Sequence, residues 1–461
     1  MSKHHINYKK FDTGRLSVVM TIFLPVLFET FLSSLYGAID MTMVGRYDPN
    51  GLSAIGLTSS PLCVFLSFFN AINVGTTVLV AWNVGAKKSK DAQDVVKTSL
   101  VLNLVSGIVM TILGMAFSRP IVSFMGGKGE VAKLAIEYYD ILVVGTTFQA
   151  LTFSVTASMR GAGISKVPMM YNTFSNLLNV VGNYILIDGK FGLPAMGVIG
   201  AGYSTLFSRI ICCLWALWYV FRSKGNSISF RNKYGKFVLQ KKKIFQIFNI
   251  GIPSAVESLV LNCGTMVYVR LVNSLGDASI AAHQICNNVN NLSSAPIIAL
   301  GVTANTVIGQ QLGAHEFDNA RKYKNYLCKI SLVITTIAGA FAAIFARQIA
   351  TFYVKPDEIE ILALTVPLFY ILAVQYTTGS LNGVVMGALR AAGDTKFALY
   401  LNVLSFFLWR IPIAYLFSTV LGWGLTGIWL SLLAHSWLNF AIINLRYKSG
   451  KWLKSFRKAS E

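Results

Sequence analysis

The stretch PVLFETFLSSLYGAIDMTMVG at residues 25–45 and the stretch PSAVESLVLNCGTMVYVRLVN at residues 253–273 decide the fold. Laid over each other at an offset of 253 − 25 = 228, they match Pro25 with Pro253 and Glu29 with Glu257. The match runs without a gap from 25–92 against 253–320, so that Val84-Gly85-Ala86 meets Leu312-Gly313-Ala314 and Asp91-Ala92 meets Asn319-Ala320. A second block sets Met159-Arg160-Gly161-Ala162-Gly163 against Leu389-Arg390-Ala391-Ala392-Gly393 at 390 − 160 = 230, and carries Asn172 onto Asn402. A third sets Gly197-Val198-Ile199-Gly200 against Gly424-Leu425-Thr426-Gly427. The two halves are duplicates in the same orientation, a plan that gives two bundles related by an axis along the membrane normal.

Membrane is the solvent that the composition requires. Of 461 residues 54% are hydrophobic and 13% charged, against about a quarter charged in soluble domains. Spanning helices need about 20 predominantly apolar residues. Twelve stretches qualify, near 16–44, 53–83, 98–118, 136–158, 168–188, 197–220, 246–272, 280–312, 327–346, 361–389, 397–419 and 424–445. They are long and continuously apolar rather than alternating, which favours helices over a barrel. The expected fold is therefore an all-α polytopic membrane protein of twelve transmembrane helices in two pseudo-symmetric six-helix bundles. Residues 1–222 form the first lobe, 223–243 a cytoplasmic linker and 244–461 the second lobe. Met1 to Lys10 is polar and no small-residue cleavage site follows, so the first helix is expected to be retained.

A net charge of +21 raises nucleic-acid binding, which needs the charge clustered on a soluble face. Here most Lys and Arg fall on the loops that share a side with both termini, the pattern of a cytoplasmic face. The densest group runs from Arg222 to Lys243. No nucleic-acid partner is expected; the partners are the lipid bilayer and small organic solutes, and the protein is expected to act as a monomer in the cell inner membrane. Six cysteines without CxxC spacing suggest neither zinc nor a disulfide framework. The absence of a GxxxxGK[ST] loop argues against an ATP-driven pump, and the duplicated plan favours transport by alternating access over a channel.

Ionisable residues inside spans are costly and mark function or partnership. Asp40 stands in the outer part of the first span, and its counterpart in the second half is Tyr268. A carboxylate confined to one lobe points to an asymmetric role, with snorkelling to the interface as the alternative. Asn176, Asn179 and Asn183 stack on one face of the fifth span, and their counterparts Phe406, Trp409 and Ile413 offer no oxygen. A carboxylate with amide oxygens suits a hard cation, Na⁺ included, while interhelical packing is the competing role for the amides. Tyr36, one turn before Asp40, is placed to hydrogen-bond it. Glu29 and Glu257, four residues after Pro25 and Pro253, either line a central cavity with Asn176 and attract cationic substrates, or close local hydrogen bonds where the proline breaks the ladder. Arg160, Arg390 and Asp394 are expected in short cytoplasmic turns.

Several motifs resemble those of the multidrug and toxic compound extrusion (MATE) transporters of the bacterial DinF and NorM types. They are Gly37-Ala38-Ile39-Asp40-Met41-Thr42-Met43-Val44-Gly45, Leu52-Ser53-Ala54-Ile55-Gly56, Arg160-Gly161-Ala162-Gly163, Arg390-Ala391-Ala392-Gly393-Asp394-Thr395, and Tyr184 to Gly200 with Gly189-Lys190-Phe191-Gly192. The resemblance implies a V of two six-helix lobes and export of organic, often cationic and amphipathic, compounds in exchange for H⁺ or Na⁺, with no other cofactor and no enzymatic activity. It implies that Asp40, Asn179 and Asn183, with Thr205, form the cation or proton site. Asn183 departs from the archaeal and DinF-type branch, where Asp is common. Gly379 and Leu261 stand where the NorM-type branch carries acidic residues, so a second-lobe Na⁺ site of that type is not expected. A flippase for a lipid-linked precursor is the alternative within the wider superfamily.

Overall fold

A computed structural model describes residues 13–47, 49–223, 227–230, 239–354 and 358–460. Most of the charged linker, and Met1 to Lys10, lie outside them. The described α-helices run in the order α1 (Thr13–Tyr47), α2 (Pro49–Gly85), α3 (Ser89–Ala116), α4 (Ser118–Phe124), α5 (Gly129–Gly161), α6 (Lys166–Leu186), α7 (Gly197–Arg222), α8 (Lys241–Asn273), α9 (Asp277–Ser293), α10 (Ala295–Gly313), α11 (Phe317–Ile344), α12 (Ala346–Tyr353), α13 (Ile359–Ala391), α14 (Thr395–Ser405), α15 (Ile411–Tyr415), α16 (Gly424–Lys448) and α17 (Lys451–Ser460). No strand occurs among the described residues.

Among the described residues ten helical stretches are long and apolar enough to cross a membrane by themselves, α14 and α15 counting as one from Thr395 to Val420. An eleventh span is the pair α9 and α10, bent by 40° at Ser294, where the expected stretch 280–312 breaks. The twelfth is α6. Its 21 residues rise about 32 Å, enough for the hydrocarbon core. Asn172, Asn176, Asn179 and Asn183 lower its apolarity, and it lies between α1 and α7, which supply their partners. Between α14 and α15 the chain widens into a π turn at Phe406–Arg410, and a second follows at Leu416–Val420. Pro412, lying between them, has no N–H to donate and crowds the carbonyl four residues back, so the ladder re-registers around it.

The two lobes share one apolar core at the end where α1 begins and α17 lies, joining Val19, Phe23, Trp82, Ile250, Leu312 and Trp452. At the opposite end the cores separate. One, with Tyr268, Phe369 and Trp429, belongs to the second lobe, and another, with Val44, Tyr138 and Val198, to the first. The molecule is thus a V, closed at one end.

Closure is two-fold in kind. Trp82 Nε1 donates to Ala391 O at 2.7 Å, and Gln310 Nε2 donates to Gly161 O at 2.9 Å. These are equivalent bonds, because Trp82 corresponds to Gln310 and Gly161 to Ala391 in the repeat. Beside them a Cβ on Gly85 would meet Gln310 O at 1.9 Å and one on Gly313 would meet Trp82 O at 2.0 Å, so only glycine lets these backbones approach. Lys243, expected at the end of the linker, is helical instead: α8 begins at Lys241, and Lys243 Nζ pairs with Asp91 at 3.0 Å and Asp94 at 3.2 Å on α3.

Gly251 is the tightest contact between α8 and α2, since a Cβ there would lie 1.7 Å from Ala71 O. Gly251→Val should cost about 1–3 kcal/mol by overpacking and lower the melting temperature of the detergent-solubilised protein by several degrees. Gly56→Ala, with nothing within 4 Å of the added Cβ, should leave it unchanged. Equal melting of the two variants would contradict the tight closure.

Candidate cation site and central cavity

Helices α1 and α6 run parallel, and polar side chains pair across them at a constant separation in sequence. Asn172 Nδ2 donates to Glu29 Oε1 at 2.7 Å, Asn176 Nδ2 to Ser33 Oγ at 3.2 Å, and Asn183 Nδ2 to Asp40 Oδ1. Positions 29, 33 and 40 fall on one face of α1, and 172, 176 and 183 on one face of α6, because both sets follow the same helical spacing. The seam links the floor of the V to its open half.

The amide stripe of α6 is divided between two neighbours. Asn179 faces α7, where its Nδ2 donates to Thr205 Oγ1 at 3.0 Å and Ser204 Oγ at 3.3 Å, while Ser204 Oγ returns a bond to Asn179 O at 2.8 Å. Asn183 is fully buried, and its Oδ1 has no hydrogen-bond partner. Asp40 and Asn183 are thus brought together, with Asn179 and Thr205 bonded to each other one turn away. Among the described residues no hydrogen bond joins Tyr36 to Asp40, whose partner is Asn183. Sequence reasoning did not single out Tyr138 on α5, which is buried and packs in the first-lobe core with Val44, Ile141 and Val198.

A cation held by Asp40 would need oxygen donors beside one carboxylate. The orphaned Oδ1 of Asn183 is such a donor, and a half-turn of the amide would aim it at Asp40. One carboxylate with neutral oxygens matches a monovalent cation better than a divalent one. Among the described residues no cluster of three or more His, Cys, Asp or Glu could hold a metal ion.

The Glu29 and Glu257 surroundings correct an expectation. Arg160 Nη2 donates to Glu29 Oε1 at 2.8 Å, and Arg390 Nη2 to Glu257 Oε1 at 2.9 Å, with Asn402 Nδ2 repeating on Glu257 at 2.6 Å what Asn172 does on Glu29. The arginines do not sit in cytoplasmic turns. They end α5 and α13 and reach sideways into the bundle, where each neutralises a carboxylate that is costly to bury alone. A cavity of about 800 Å³ lies between the lobes above the closure, and its wall includes Arg160, Arg390 and Asn402 but not Glu29, Glu257 or Asn176. The carboxylates sit behind the guanidiniums. Asp394, by contrast, does lie in the turn between α13 and α14, where Arg446 binds it at 3.0 Å and Ser455 of α17 donates to it.

The second lobe has no counterpart of the Asp40 pair. Tyr268, at the equivalent position, donates to Ile428 O at 2.9 Å, and the Arg410 guanidinium lies over its ring at 4.4 Å. His283 accepts from Trp429 Nε1 at 3.2 Å and bonds Asn287 through Nε2 at 2.8 Å, which marks it as a satisfied packing residue. Arg209 in the first lobe is held by Leu142 O at 3.3 Å.

A sequence model of the MatE family matches the chain twice, over residues 25–185 and 253–416, with the two starts at the spacing of the internal repeat. The chain belongs to the MATE family. Relatives span nearly its whole length. The uncharacterized transporter YisQ of Bacillus subtilis is 27% identical over 93% of each chain, and the probable multidrug resistance protein NorM of Thermotoga maritima is 27% identical over 94% of this chain and 92% of its own. Among solved structures, one described as the outward-facing conformation of a multidrug resistance MATE family transporter superposes with a TM-score of 0.87 at 22% identity, covering 95% of this chain and 97% of the other. This MATE protein is accordingly a transporter, not an enzyme.

Removing one partner of a buried ion pair costs about 3–5 kcal/mol, more than removing both. Arg160→Gln should therefore lower the melting temperature more than the double variant Glu29→Gln/Arg160→Gln does. A double variant that melts below the single would contradict the pairing.

Proposed function

We propose that this MATE protein is a secondary active antiporter that exports amphipathic organic compounds by alternating access, driven by inward flow of a monovalent cation, H⁺ or Na⁺. The observation that carries the reading is the Asp40–Asn183 pair, a carboxylate and a buried amide with an unused oxygen, built in one lobe of a V whose closed floor carries a cavity. Cation binding or protonation at Asp40 would weaken the charge-assisted bond it accepts from Asn183 and so loosen α1 from α6. Because the same two helices hold Glu29 and Asn172 beside the cavity, a change at Asp40 can alter the cavity wall about sixteen ångströms away along α1. Termini on the cytoplasmic side would make the open end of the V face outward. The short transporter of twelve spans and its family membership favour this reading over a lipid-linked precursor flippase.

Reconstituted into liposomes, the protein should drive efflux under one imposed inward gradient, of H⁺ or of Na⁺. Asp40→Asn, which removes charge at nearly constant shape, should abolish gradient-driven transport while leaving expression near normal. Wild-type transport by that variant would remove Asp40 from the mechanism.

Asn179→Ala and Asn183→Ala should weaken coupling, whereas Ser405→Ala, which removes only a bond to Asn402 O in the second lobe, should do little. Equal losses in both lobes would contradict an asymmetric site.

A further inference from the structure

The polarity of the cavity is decided by which ends of its ion pairs face it. Arg160 and Arg390 stand in the wall, and among the described residues no Asp, Glu, Lys or His does. The compensating carboxylates are withdrawn: Glu29 and Glu257 are 7% and 4% exposed, and each accepts from an arginine and an asparagine through the same Oε1. Each arginine gives Nη2 to its glutamate, and its Nε has no hydrogen-bond partner. The guanidinium side chains remain 23% and 35% exposed. Each pair is neutral in sum, yet turned so that its positive end meets the cavity.

The rest of the wall does not reverse that polarity. Its other polar groups are neutral amides and hydroxyls, such as Asn70, Asn305, Thr156 and Ser258, which present donors and acceptors alike. Its apolar groups, among them Phe153 and Met386, suit the body of an amphipathic molecule. A cation entering this space meets two guanidiniums whose counter-charges lie behind them. An anionic group meets charge-assisted donors of fixed planar geometry, one from each lobe and at equivalent positions of the repeat.

We propose that the exported compounds carry an anionic group, a carboxylate, phosphate or sulfonate, which Arg160 and Arg390 hold between the lobes. The proposal rests on the exporter reading above and reverses the cationic substrate class expected from Glu29 and Glu257. Because one arginine belongs to each lobe, the bound anion bridges them, and separation of the lobes at the floor would divide its two donors.

The test is binding to the purified protein in detergent, followed by fluorescence polarisation of carboxyfluorescein, an organic anion, and of ethidium, an organic cation. Carboxyfluorescein should bind the tighter of the two. The charge-neutral double variants Glu29→Gln/Arg160→Gln and Glu257→Gln/Arg390→Gln avoid an unpaired buried charge and should each weaken carboxyfluorescein about tenfold or more, while ethidium binding rises. Arg321→Gln, on an exposed surface pair, serves as a control and should change neither. Tighter binding of ethidium by the parent, or equal loss of both probes in the double variants, would overturn the proposal. An arm with fluorescently labelled phosphatidylglycerol in proteoliposomes separates the sources: its accelerated flipping would assign the anionic group to a lipid, and carboxyfluorescein export without it would assign it to a soluble solute, either result supporting recognition of the anion. Binding needs no ion gradient, so anion binding without gradient-driven transport would defeat the exporter reading alone.

Discussion

An ionised side chain inside a bilayer must find its opposite, and the pairing of Glu29 with Arg160 and of Glu257 with Arg390 is the constraint on which much of this molecule turns. The pairs tie α1 to α5 and α8 to α13, and Asn172 and Asn402 draw in α6 and α14. Three helices of each lobe therefore meet at one carboxylate, next to Pro25 or Pro253. The residues that follow the arginines, Gly161 and Ala391, offer the carbonyls that close the floor against the other lobe. Electrostatic pairing, lobe integrity and closure are thus met at one level of the V, in duplicate.

Against this symmetric base the first lobe carries one added device. The polar seam of α1 and α6 continues from Glu29 through Ser33 to Asp40, whereas the second lobe replaces the upper part with Phe406, Tyr268 and Arg410, packed ring against guanidinium. One lobe has a carboxylate whose partner is a neutral amide. The other has a half-buried arginine, Arg410, stacked on aromatic rings at the matching height. On the proposed reading, the cation-responsive chemistry lies where the repeat is broken, and the shared parts of the repeat serve closure and cavity.

Much of this was legible in the sequence. The repeat, the all-α class and the spans follow from apolar run length and from the alignment of Pro25, Glu29 and Gly85 with Pro253, Glu257 and Gly313. Asp40 and Asn183 were brought together by a combination of lobe asymmetry and family resemblance, and the structure joins them by a hydrogen bond. What could not be read was the reach of long side chains. Arg160 and Arg390 close each half's helix-end motif, and nothing local reveals that they bend back more than 130 residues in sequence to Glu29 and Glu257. The two carboxylates therefore sit behind the guanidiniums rather than in the cavity wall. One-turn spacing likewise puts Tyr36 and Asp40 on the same face of α1 but does not by itself make their polar atoms meet.

The central claim, that the charge state of Asp40 governs the relation between the lobes, is tested most directly by a distance across the open end of the V. Spin labels at Ser123 on α4 and Ser274 after α8, both exposed and each at the open end of its own lobe, would report it by double electron–electron resonance in a cysteine-free background. The account predicts a distance distribution that shifts with pH or with Na⁺ in the parent and stays fixed in Asp40→Asn. A distribution that responds equally in both proteins would contradict it.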